Sequence, residues 1–88
     1  QFAFAGDCEL TTDRKACPGK EDAALKPYKG QNPHTDKPAK AADEAACLKM
    51  AETSSKIIRK GTLAEKSVTA KFDGKDLGKT FTDKAECK

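Results

Sequence analysis

Apolar and polar residues alternate from the start of the chain. Phe2, Phe4, Gly6, Cys8 and Leu10 share one parity, and Ala3, Ala5, Asp7, Glu9 and Thr11 the other. A period of two predicts a strand over about 2–12 with one buried side, and it points Cys8 inward. The alternation returns at 66–72, where Val68, Ala70 and Phe72 oppose Thr69 and Lys71. Asp73-Gly74 signals a hairpin turn. The return strand carries Leu77, Lys79 and Phe81 on one face and, if it stays extended, brings Cys87 inward. A two-residue loop would set Val68 against Lys79. A longer loop, Asp73 to Asp76, sets Phe72 against Leu77 and Val68 against Phe81, and is expected for that reason. The hairpin then spans about 66–82.

A different period governs the middle of the chain. Residues of about 38–60 are rich in Ala, Glu and Lys with no internal glycine or proline past Pro38, as a helix requires. Thr35 or Asp36 can cap its start, Pro38 suits its first turn, and Gly61 follows its end. At a helical repeat, Ala39, Ala42, Ala46, Met50 and Ile57 form the inward stripe, with Cys47 and Ser54 at its edge and Leu48 off it. Between the first strand and this helix, residues 13–38 read as irregular. Cys17-Pro18-Gly19 is a turn signal, and Glu21 to Lys26 can make one or two helical turns before Pro27. The segment Lys29 to Pro38 holds two prolines and the lone histidine, His34.

The elements together predict an α+β fold: a small antiparallel sheet packed on one main helix, in one domain over residues 1–88. Composition makes such a core thin. Apolar residues are 36% of the chain and charged residues 35%, and much of the apolar share is alanine. Cys8, Cys17, Cys47 and Cys87 supply the missing stability. An even cysteine count in so short a chain reads as two disulfides formed in an oxidising, extracellular compartment. Closing a long loop contributes on the order of 3–4 kcal/mol in the chain-entropy model. The connectivity stays open. Cys8–Cys47 with Cys17–Cys87 clamps helix to sheet and ties the first loop to the chain end. Cys8–Cys87 with Cys17–Cys47 joins two strands and anchors the loop to the helix. The first pairing is preferred. Gln1-Phe2 reads as a mature N-terminus after signal removal, and no run approaches the ~20 apolar residues of a membrane span.

Chemistry is sparse by comparison. Zinc wants closely paired ligands, whereas these cysteines are widely spaced beside a single histidine, so no metal or other cofactor is expected. The net charge of +3 comes from interleaved lysines and acids, which reads as a solvated surface rather than a nucleic-acid groove. Gly74-Lys75-Asp76-Leu77-Gly78-Lys79-Thr80 falls one residue short of a phosphate loop, and a strand pattern rather than a helix follows it. His34 sits in a polar loop beside Thr35 and Asp36, and bridged cysteines leave no thiol nucleophile for it to activate. Arg14-Lys15 is a candidate processing site. Arg59-Lys60 is another, although it better fits a helix C-terminus, where cations are favourable. Leu48 is a candidate partner contact. No catalytic residue emerges.

The Gln1-Phe2-Ala3-Phe4 start, the four cysteines, the size and the order strand, helix, hairpin resemble small secreted cysteine-containing proteins of filamentous fungi. That class includes plant-pathogen effectors and killer-toxin-like α/β sandwiches. The resemblance implies a secreted non-enzyme acting on a host or competitor cell through an extracellular protein or cell-surface component. A monomer without nucleic-acid or membrane-spanning partners is expected. A second reading is a secreted enzyme inhibitor that presents the 13–38 loop, with Lys15, Lys20 or Lys26 as its anchor.

Overall fold

A computed structural model describes residues 5–87. Its elements run β1 (Gly6–Ala16), α1 (Glu21–Leu25), a 3-10 turn (Lys26–Tyr28), β2 (His34–Thr35), β3 (Ala39–Ala41), α2 (Glu44–Lys56), β4 (Leu63–Phe72) and β5 (Lys75–Lys84). The strands form one antiparallel sheet in the order β2-β1-β4-β5, and β3 pairs the same edge of β1 as β2 does, nearer the start of β1. The α+β class holds, with the helix small relative to the sheet. The disulfides join Cys8 to Cys47 and Cys17 to Cys87, which is the preferred pairing. Phe2 and Phe4 lie outside the described residues.

β1 continues to Ala16, so residues 13–16 are strand and not loop. The reason is β4, which pairs β1 from Cys8 opposite Phe72 down to Ala16 opposite Leu63 and gives one edge of residues 13–16 its backbone partners. Even-numbered residues of β1 face inward, with Gly6, Cys8, Thr12 and Arg14 all buried. Gly6 is small for a reason: a Cβ there would run into the Phe72 ring and the Asp73 carboxylate.

The main helix is shorter than its composition implies, Glu44–Lys56 rather than about 38–60. Ala39–Ala41 pair with Gly6–Cys8 instead, an override of alanine's helix preference by an open strand edge. Asp43 is the true N-cap, its Oδ1 accepting from Ala46 N at 2.8 Å, in place of Thr35 or Asp36. The inward stripe is Cys47, Ala51 and Ser55, one position on from the expected one. Ile57 has left the helix and is 70% exposed, contrary to its expected inward place. The small residues bring α2 close to the sheet, where Cys8, Cys47, Ala51, Val68 and Ala70 form the centre of the core. Leu10, Met50, Phe72, Leu77 and Phe81 pack around it.

The hairpin turn is tighter than expected, yet its register further along is the expected one. Asp73 and Gly74 both have positive φ (52° and 81°), as a two-residue turn of the primed type requires, and Phe72 pairs with Lys75 rather than Leu77. Val68 nonetheless opposes Phe81. A bulge reconciles the two: Leu77, Gly78 and Lys79 all span the position opposite Ala70. Gly78 has φ 72° and donates its N–H to Asp76 Oδ1 at 2.8 Å. The bulge keeps both Leu77 and Phe81 against the core and leaves Lys79 exposed. β5 ends at Lys84, and Cys87 is exposed rather than inward, bonded to a buried Cys17.

Two stability outcomes follow from this packing. Loop entropy alone gives about 4 kcal/mol for either disulfide. Replacing Cys8 and Cys47 by alanine will cost more than replacing Cys17 and Cys87, although the latter pair is separated by 70 residues against 39, because both Cys8 and Cys47 are buried whereas only Cys17 of the other pair is. Guanidinium denaturation of the two double variants measures the order, and equal losses would refute the packing argument. Gly78→Ala will cost about 1 kcal/mol by the same measurement, since a Cβ at positive φ is strained.

Candidate functional site

α2 covers only part of the sheet's inner face. Beyond it the same two strands place Arg14 of β1 directly opposite Lys66 of β4, both inward and each only 7% exposed. Like charges facing each other across an antiparallel pair repel, and burial deepens the cost. The chain builds a small polar roof over them. α1 and the 3-10 turn follow Cys17, bury Ala24 and set the Tyr28 ring on Arg14, with the guanidinium carbon 3.7 Å from the ring centroid. This cation–π contact is the main compensation for the Arg14 charge. The His34 ring stands 4.9 Å from that of Tyr28, inclined by 47°.

Asn32 holds this roof to the sheet. Its side-chain oxygen accepts from Arg14 N and its side-chain nitrogen donates to Arg14 O, each at 2.8 Å. The amide thus stands in for a strand residue where β1's edge would otherwise be bare. The next bond, Asn32–Pro33, is cis, and β2 follows with His34 opposite Thr12.

Lys66 serves a different end. Its Nζ donates to Ser54 O at 2.7 Å and to Ile57 O at 2.9 Å, capping the carbonyl end of α2 where a cation is favourable. Burial holds its pKa below the usual lysine range; the charge of Arg14 pushes it the same way, and Asp36 opposes both. Asp36 is itself engaged, with its Oδ1 3.1 Å from His34 Nδ1. Among the described residues the ion pairs are His34–Asp36, Lys40–Asp7 and Lys75–Glu44, and none reaches Arg14 or Lys66. The Nη1 nitrogen of Arg14 is buried with no hydrogen-bond partner among the described residues.

The residues singled out in the sequence fall mostly elsewhere. His34 is not a loop histidine in solvent: it is half-buried on β2, between Tyr28 and Asp36. Lys15 is exposed on β1, Lys20 precedes α1 and Lys26 opens the 3-10 turn, so they do not share one extended segment. Arg59-Lys60 lies beyond the end of α2 rather than in its last turn, and Arg14 of the Arg14-Lys15 pair is buried. Leu48 is half-buried on α2. The Gly74 to Thr80 run is a turn, a bulge and a strand. All four cysteines are bridged, and no cluster of three metal-ligating side chains occurs among the described residues. Arg14, Tyr28 and Lys66 were not signalled by composition. The signal was parity: Thr12 and Arg14 continue the phase of Cys8, and Lys66 shares that of Val68 and Ala70.

Compared with known proteins, the chain matches no family model, no curated protein and no solved structure. No helix among the described residues is long and apolar enough to cross a membrane.

The lowered Lys66 pKa has a measurable sign. The folded chain binds fewer protons at this site than the unfolded chain, so stability rises with pH between the folded Lys66 pKa and the unfolded value of 10.5. Relative to Lys66→Met, the wild-type chain will therefore gain stability as pH is raised from 7 toward 10. Denaturant midpoints of both proteins across that range test it, and a pH-independent difference would show that Lys66 titrates normally.

Proposed function

We propose that this chain is a secreted, non-enzymatic interaction protein of effector or toxin type. It acts on a host or competitor cell by binding an extracellular protein or cell-surface component, in the manner of the small cysteine-containing proteins of filamentous fungi that it resembles. The observation that carries the reading is the double cross-link of a thin core. One bridge ties sheet to helix at Cys8 and Cys47, and the other ties β1's end to the chain's end at Cys17 and Cys87. A fold built on an alanine and cysteine core needs its disulfides kept oxidised, as they are outside the cell. Two further observations support recognition rather than catalysis. His34 faces an aromatic ring and a carboxylate, and each cysteine is consumed in a bridge.

Fluorescently labelled protein with its disulfides intact will bind host or competitor cells saturably, and reduction before exposure will abolish that binding. Absence of saturable binding to both cell types, with no change in their growth or viability, would overturn the reading.

A further inference from the structure

The cation pair opens onto a cleft between the two helical coverings of the sheet. It has a volume of about 240 Å³, several times the ~30 Å³ share of one water. Arg14, Lys66 and Arg59 line it together with Tyr28, Ile57 and Leu63, and no carboxylate of the described residues does. Three cations therefore converge in a cleft that no carboxylate of the described residues lines, with Asp36 acting on Lys66 from outside it. Lys66 is committed to the carbonyls of α2, and one face of Arg14 to Tyr28. Among the described residues, the buried Nη1 of Arg14 has no hydrogen-bond partner. A buried guanidinium nitrogen without an acceptor is costly, and the group is built to grip oxyanions with two parallel N–H bonds. The exposed Ile57 gives the rim an apolar contact beside the charges.

We propose that this cleft is a binding site for an oxyanion group, a phosphate, sulfate or carboxylate presented by a small molecule or at the end of a larger ligand. Arg14 is the principal donor, Arg59 closes from the exposed side, and Lys66 contributes its charge while it caps α2. Tyr28 and Asn32 are positioning residues: the ring holds the guanidinium plane, and the amide fixes the strand beneath it. Asp36 is the carboxylate that acts on Lys66, and its contact with His34 leaves the cleft to an outside anion. The site stands whether or not the chain acts on cells, because it is defined by the chemistry recognised and not by the target that carries it.

The test uses the whole chain with its disulfides intact, at pH 7 and constant ionic strength. Chloride is replaced stepwise by inorganic phosphate, by sulfate or by acetate. NMR follows the Arg14 side-chain Nε–H and the backbone amides of Tyr28, Leu63 and Lys66. These resonances will shift saturably with at least one of the three. Arg59→Gln will weaken that response about tenfold, as expected for loss of one charged donor. This variant should keep the fold, because the Arg59 side chain is exposed and only its backbone oxygen bonds Thr62 and Leu63. Saturation by phosphate and sulfate without acetate assigns a tetrahedral group, and saturation by acetate alone assigns a carboxylate; either supports the site. Shifts that remain linear in anion concentration, or that are the same in wild type and Arg59→Gln, would overturn it.

Discussion

The Cys8–Cys47 bridge is the constraint on which the rest of this fold depends. It spans 5.5 Å between Cα atoms and joins the inner face of β1 to the inner face of α2. The residues around it are small: Ala41, Ala51 and Ala70, with Val68 the largest buried member of the cluster. Small residues let helix and sheet approach closely but bury little apolar area, so their transfer energy alone is a weak clamp. The covalent link removes the need for a large one. It also fixes the position of α2 along the sheet, and hence where the helix stops covering it.

That stopping point divides the inner face into two ends of opposite character. Under α2 lie cysteine, alanine, valine and the partly buried aromatics of β4 and β5. Past it, on the same strands and in the same phase, lie Arg14 and Lys66. A sheet that continued its apolar pattern there would have packed α1 as a second hydrophobic cover. With two cations in those places, the cover is instead a tyrosine face and the carbonyl end of α2, with an asparagine amide at the strand's edge. The second disulfide closes this end, since Cys17 follows β1 directly and Cys17 N donates to Thr62 O at 2.8 Å. The polar end thus has its own covalent tie, and fixing a cleft before a ligand arrives lowers the cost of binding.

Strand phase and turn chemistry were legible residue by residue. Cys8 inward and a turn at Asp73-Gly74 follow from periodicity and from the φ that glycine and aspartate tolerate, whereas Val68 meets Phe81 through a bulge and not through the longer loop expected. The hairpin's bulge was not legible, because it resolves a conflict between turn and register that appears only when both are imposed at once. The helix was legible as an element but not in its bounds. Ala39–Ala41 have helical composition and lie in a strand, because the edge of β1 offered them backbone partners that a helix end could not. The candidate site was hidden for a related reason. Lysine and arginine among many others read as surface, and only their phase along β1 and β4 marks them as inward.

The sequence by itself determined the local rules: which residues alternate, where the chain can turn, where a helix can run, and that four cysteines must stabilise a thin core. These are properties of a few neighbouring residues, set by sterics and periodicity. The tertiary structure decided what depends on residues far apart in the chain. It chose the partners of each cysteine across separations of 39 and 70 residues. It ended α2 at Lys56, where the Ile57 carbonyl turns to meet Lys66. It also brought Arg14 and Lys66 face to face, because antiparallel register converts sequence distance into contact and makes two unremarkable surface-type residues into a buried pair in want of an anion.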